Sequence, residues 1–249
     1  MTDLPGFLEQ DFAAYAENRQ RDPEYNGFRL AVRRKLDAHG KAAQSYLKKE
    51  AGLSLGCRTS LNHPHASNRM RVTSQLAYLS RAPKDKKALH AIVGPALGKD
   101  VDTNYIQTTL ALQIDAEGFE QSLRVHSQAW WDGQNLKKRV AIDAELDAFG
   151  DLVNSLPPGF ALYMDNWRKP YVPGDISAQD LKRYFASYTP GEHWLNLRRR
   201  IPKSVAIQLG ADIGAFAREG FLAVAPIYRF ICWSPENNYL FGEDGRMTS

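Results

Sequence analysis

From residue 69 the spacing of apolar residues changes from a helical repeat to alternation, and that switch limits the chain to a sheet preceded by a helical segment. In "RMRVTSQLAYLSR", residues 69–81, Met70, Val72, Leu76 and Tyr78 share one face, and Arg69, Arg71, Thr73 and Gln75 the other. That is the pattern of a strand covered on one side. "YIQTTLALQI" then sets Ile106, Leu110, Leu112 and Ile114 against Gln107, Thr109 and Gln113. Residues 115–118 turn the chain into "FEQSLRVHSQ", where Phe119, Leu123 and Val125 oppose Glu120, Ser122, Arg124 and His126. The two runs predict a hairpin.

The first 50 residues read as helical: Leu8, Phe12 and Tyr15 recur at helical spacing, and Phe28, Val32 and Leu36 form a second run that Gly40 interrupts. Residues 54–68 read as a loop, and a short helix is predicted over 85–93. Beyond the hairpin, Ile142, Leu146, Phe149, Val153 and Leu156 make a helical stripe ended by Pro157 and Pro158. "GFALYMDN" predicts a strand, "SAQDLKRYFASY" a helix capped by Ser177 with Asp180 three residues on, and "HWLNLRRRIP" a further strand. A helix from Ser204 carries Val205, Leu209, Ile213 and Phe216, and an apolar segment follows to Trp233. This order predicts an α+β fold: a mainly antiparallel or mixed sheet with helices packed on one face and an N-terminal helical segment. With no repeat and no long linker, residues 1–249 are expected to form a single domain, with a helical segment over 1–53 and the α+β core over 69–233.

The run 220–233 is interrupted by Arg229 and is too short and polar for a membrane span, and "MTDLPGFLEQ" has no basic region followed by an apolar stretch. A cytoplasmic protein without a membrane partner is expected. Cys57 and Cys232 stand alone, which fits neither a disulfide framework nor a zinc site. His63 and His65 have a spacing that two metal ligands could use, but no third ligand accompanies them, so no metal is expected. No phosphate-binding loop, dinucleotide fingerprint or nucleophile elbow is present, and no cofactor is expected.

Alternation leaves the polar residues of all these strands one direction to share. The expected binding face carries Arg71, Gln75, Gln107, Arg124, His126, Tyr163, Trp194, Asn196, Arg198 and Arg200. These are guanidiniums, amides and aromatics, which fork onto phosphates or carboxylates and stack on planar ligands. Arg199 falls on the opposite face, where its stem can lie along the helices. "WWDGQNLKKRV" adds Trp130, Trp131, Lys137, Lys138 and Arg139, basic groups beside two tryptophans. If Asp132 caps a helix there, those charges stand near its positive end; if Asp143 is the cap, they lie in a loop. A neutral His126 beside Arg124 is the one candidate acid or base.

The net charge of +4 gathers in short clusters at 33–35, 84–87, 137–139, 167–169 and 198–200, which favours a polyanion only where it is focused. The order of elements over residues 69–233, with a basic strand-to-helix step early and an apolar helix last, resembles the uncharacterised bacterial YktB-like proteins; the resemblance implies a fold and no activity. The expected function is a nucleic-acid-associated binding or accessory protein. The alternatives are an enzyme acting on a small anionic substrate, with Arg71, Arg124 and Arg198 holding the anion and His126 as acid or base, and an assembly subunit that binds a protein partner.

Overall fold

Two helices, α1 (Glu9–Ala13) and α2 (Asn26–Ala51), organise the amino-terminal part of the chain. A computed structural model describes residues 4–102, 106–165 and 169–242. The helix α2 runs straight through Gly40, where the sequence predicts an interruption. A Cβ at that position would lie 2.6 Å from Cys57 Sγ and 3.2 Å from the Ala77 methyl. Close approach to the sheet therefore outweighs the cost of glycine in a helix, about 1 kcal/mol. Val32, Leu36, Ala43 and Leu47 give α2 its buried stripe, and Gly52 ends it in a left-handed conformation at φ 60°.

Six strands make an antiparallel sheet: β1 (Leu55–Thr59), β2 (Ser74–Arg81), β3 (Thr108–Asp115), β4 (Gly118–Val125), β5 (Phe160–Met164) and β6 (Leu195–Pro202), in the order β1-β2-β3-β4-β6-β5. The fold is α+β with an N-terminal helix. The hairpin of β3 and β4 is turned by Asp115, whose Oδ1 accepts the N–H groups of Glu117 and Gly118. That is a side chain closing its own turn. β1 lies inside the stretch read as a loop; it is held by Ser60 N–H donating to Leu76 O at 2.9 Å, a partner that local sequence does not reveal.

β2 corrects the sequence reading twice. It begins at Ser74, because Arg69 and Met70 take positive φ (52° and 58°) in a turn, so Arg71 is exposed ahead of the strand. Its polar residues also face the other way. Pairing sets Gln75 opposite Ile114, Leu76 opposite Gln113 and Ala77 opposite Leu112, so Gln75 shares a face with the apolar residues of β3. The sequence reading placed Gln75 with Gln107 and Gln113.

The chain divides into two compact units, residues 1–79, 110–122 and 199–222, and residues 80–109, 123–198 and 223–249. In the first, Phe7, His39, Phe119 and Phe216 pack ring against ring. Gln75 accepts from Tyr15 Oη and donates to Leu61 O. In the second, α3 (Pro83–Asp102) breaks at Gly94, with φ 78°. It is followed by α4 (Trp130–Arg139), α5 (Asp143–Asn154) and α6 (Ala178–Ser187), the last closed by the expected Ser177 and Asp180 capping box. Helix α7 (Lys203–Leu209) stops at Gly210, φ 52°, where the sequence predicts continuation, and α8 (Ile213–Ile231) begins after it. Among the described residues no helix is long and apolar enough to cross a membrane.

The second unit is pinned on Asp132, which is fully buried. Its carboxylate accepts from Arg81 Nη2 at 2.6 Å, Thr108 Oγ1 at 2.7 Å and the Trp233 N–H at 2.9 Å. Asp132→Ala leaves the Arg81 charge buried without its partner and should cost about 3–5 kcal/mol in urea unfolding. A loss below 1 kcal/mol would refute this role.

His39 supplies a pH test of the first unit. It is buried, its Nε2 is 2.9 Å from Pro5 O, and its ring stacks on Phe7. Burial holds its pKa below the usual 6.5, and the nearby charges of Arg218 and Lys35 act the same way against the Pro5 hydrogen bond. The unfolded chain therefore takes up this proton first. Stability should be intact above about pH 6.5 and fall as the pH drops below it, and His39→Gln should flatten that decline. Equal slopes of stability against pH for both proteins would overturn it.

Candidate functional site

Side chains of β4, β5 and β6 within the second unit form the face that most resembles a binding site. Its geometry starts at Asp165, just past β5, which sits at φ 51°, a left-handed conformation that aspartate tolerates. There its N–H donates to Trp194 O at 3.1 Å and its Oδ1 accepts the Trp194 N–H at 3.0 Å. This two-bond clamp fixes the start of β6 against the end of β5. The Trp194 indole meets the His126 ring with centroids 4.1 Å apart and planes at 55°. Two positions along each strand, the antiparallel step brings Asn196 level with Arg124. Arg198 follows, its guanidinium 3.8 Å from the centre of the Tyr163 ring, a cation–π contact. Arg124, His126, Tyr163, Trp194, Asn196 and Arg198 are all partly exposed.

His126 is not placed to be a base. Its Nδ1 accepts the Gln128 N–H at 3.1 Å, which uses the lone pair and leaves the neutral ring's proton on Nε2. Burial lowers its pKa, so the neutral donor form prevails at pH 7. The thiols are no better as nucleophiles: burial pushes Cys57 up to about 11 and Cys232 higher still. Among the described residues no cluster of histidine, cysteine or carboxylate side chains could hold a metal ion.

The rest of the predicted face does not join this group. Arg71 lies in the turn before β2, Gln75 is buried toward Tyr15, and Gln107 is buried with its amide donating to Val101 O at 2.6 Å. Arg200 grips Asp115 with both terminal nitrogens, at 2.9 and 2.6 Å, with Glu120 3.8 Å away. Residues of the tryptophan-basic stretch make contacts within the second unit. Trp131 is fully buried, with Trp130 edge-on to it at 5.9 Å. Lys137 donates to Tyr188 O, and Arg139 binds Glu145 while lying 3.5 Å over the Phe230 ring. Helix α4 begins at Trp130, so Asp132 is in its first turn and Lys137, Lys138 and Arg139 are in its last, where positive charge is favoured. Neither Asp132 nor Asp143 is the cap assumed from sequence. In the cluster at 167–169, residues 167 and 168 lie outside the described residues.

Arg199, on the opposite side of β6 and in the first unit, donates to Gln121 Oε1 at 2.9 Å and Phe216 O at 3.0 Å and lies 3.7 Å over the Phe216 ring. A Cβ at Gly220 of α8 would fall 2.0 Å from Gln121 Oε1, so glycine there leaves the room this contact needs. Arg199→Ala strands both acceptors and should cost about 1–3 kcal/mol, against about 1 kcal/mol or less for Arg198→Ala. Urea unfolding of the two variants checks the order, and a larger loss for Arg198→Ala would contradict it. No protein-family model matches the chain, and no curated protein is significantly similar to it.

Proposed function

We propose that this is a nucleic-acid-associated binding protein that holds a short unpaired strand on the face made by Arg124, His126, Tyr163, Trp194, Asn196 and Arg198. The observation that carries the reading is the juxtaposition of a ring pair, His126 with Trp194, and a cation–π pair, Tyr163 with Arg198. Flat rings offer bases a stacking surface, and guanidiniums complement the phosphates between them. The three strands span roughly 10 Å at about 4.8 Å each, a width suited to one or two nucleotides. A duplex asks for a broader basic surface, and Arg139, Lys137 and Arg200 are occupied within the fold. An unpaired strand therefore fits better. The enzyme alternative needs a base, and the Gln128 N–H already occupies the His126 Nδ1 lone pair.

Fluorescence anisotropy with a labelled oligonucleotide of about twelve residues tests the reading. The single strand should bind more tightly than its duplex, with a log–log salt slope near −1.4 for two phosphate contacts at about 0.7 each. Arg198→Ala should weaken binding and make the slope shallower by about 0.7. Absence of binding at low salt, or a flat salt response, would remove the proposal.

A further inference from the structure

We infer that Asn196 reads the edge of an unpaired nucleobase at this site, which makes the ligand a base-bearing strand and not merely a polyanion; the inference rests on the reading just given. The buried amides of Gln75, Gln121, Asn135 and Asn237 are tied down within the fold, whereas Asn196 is partly exposed. Gln75 bonds Tyr15 and Leu61, Gln121 bonds Ala217 and Arg199, Asn135 bonds Ile231 and Tyr239, and Asn237 caps the carbonyls at the end of α8. The Asn196 side chain makes no hydrogen bond among the described residues, although it sits in the middle of the face, two residues from Trp194 and two from Arg198. Same-face neighbours on a strand are about 6.6 Å apart, so amide, indole and guanidinium lie within reach of one nucleotide.

The chemistry of the amide narrows the ligand. Its NH2 can donate to a phosphate, but its carbonyl oxygen is repelled by one, because an ionised phosphate diester has no proton to give. The carbonyl is satisfied by a donor: the exocyclic amino group or ring N–H of a base, beside a ring acceptor that takes the NH2 hydrogen. Those edges are turned inward in a duplex and outward in a single strand. Next to Trp194, the His126 Nε2–H adds a second donor with no partner among the described residues. A flat ring with mixed donors and acceptors on its edge and an anion attached matches all three groups.

The test compares equal-length single strands of oligo-dA, oligo-dC and oligo-dT with an abasic strand, which keeps every phosphate and loses every base. The full-length protein should bind the best homopolymer at least tenfold more tightly than the abasic strand and separate the homopolymers by roughly tenfold, as one two-bond amide-to-base contact does. Asn196→Ala should bring the homopolymers to within about twofold of one another and leave the salt slope unchanged. Asn196→Asp should also lose the preference and weaken binding of every strand, by placing a negative charge beside the phosphates. Should either variant fail to give a cooperative melt, Asn196→Ser, which also removes the two-bond amide, is read in its place. Equal affinity for abasic and base-bearing strands would overturn the role of Asn196 while leaving nucleic-acid binding intact. No binding of any strand would overturn both, and a homopolymer preference that survives in Asn196→Ala would assign base reading to another side chain.

Discussion

The Asp132 side chain, paired with Arg81 and fully out of water, is the constraint around which the second unit is built. A carboxylate in such a place is tolerable only when its lone pairs are matched by donors, and here they come from the end of β2, the start of β3 and the chain just after α8. Arg81 carries the bond on to Trp233 O, so one ion pair also satisfies a backbone carbonyl at the end of that helix. Helix α4 starts at Trp130, with Asp132 in its first turn, and ends at Arg139, which places Lys137, Lys138 and Arg139 at its negative end. A basic run that looks misplaced on the sequence is thus in a favourable position.

Strand pairing imposes the second constraint. A side chain on a strand has two directions, and the register with the neighbouring strand decides which is which. Alternation within "YLSR" or "FEQSLRV" is visible in the sequence, and so is the hairpin, because both are local. The pairing of Gln75 with Ile114 spans 39 positions and turns the polar half of β2 toward Tyr15. A glutamine that reads as a ligand contact is a buried bridge to the N-terminal segment. β1 was illegible for a related reason: "LGCRT" has weak strand character alone and is a strand because β2 lies beside it. Gly40 and Gly210 show the same limit. One allows close packing in a continuous helix and the other ends a helix at positive φ, and composition does not tell them apart.

The candidate site was legible in part. Its β6 half, Trp194, Asn196 and Arg198, follows from alternation, and so does Arg199 on the reverse. What the sequence could not show is which cations are already engaged. Asp115 reads as a turn residue, and it is one, yet its two oxygens also receive Arg200. Asp165 reads as the last polar residue of a strand and is the clamp that seats Trp194. Both roles are contacts between residues far apart in the chain, and neither leaves a spacing to find.

Losing Arg200, Arg139 and Lys137 to internal partners changes the physics expected of the site. A surface that bound by net charge would gain from every cation, and its affinity would fall steeply with salt. The proposed face carries two guanidiniums, one of them already against Tyr163, with an amide and three rings, so the binding proposed there would draw on short-range stacking and directional hydrogen bonds more than on long-range attraction. A gap of about 0.5–1 Å forfeits a quarter to a half of a dispersion contact, so such a site needs its aromatic groups held still. The Asp165 clamp on the Trp194 backbone, just past β5, and the Gln128 bond to His126, just past β4, supply that restraint. In the proposed role, rigidity of this kind, more than the number of basic residues, would let a small sheet face discriminate between ligands that carry the same charge.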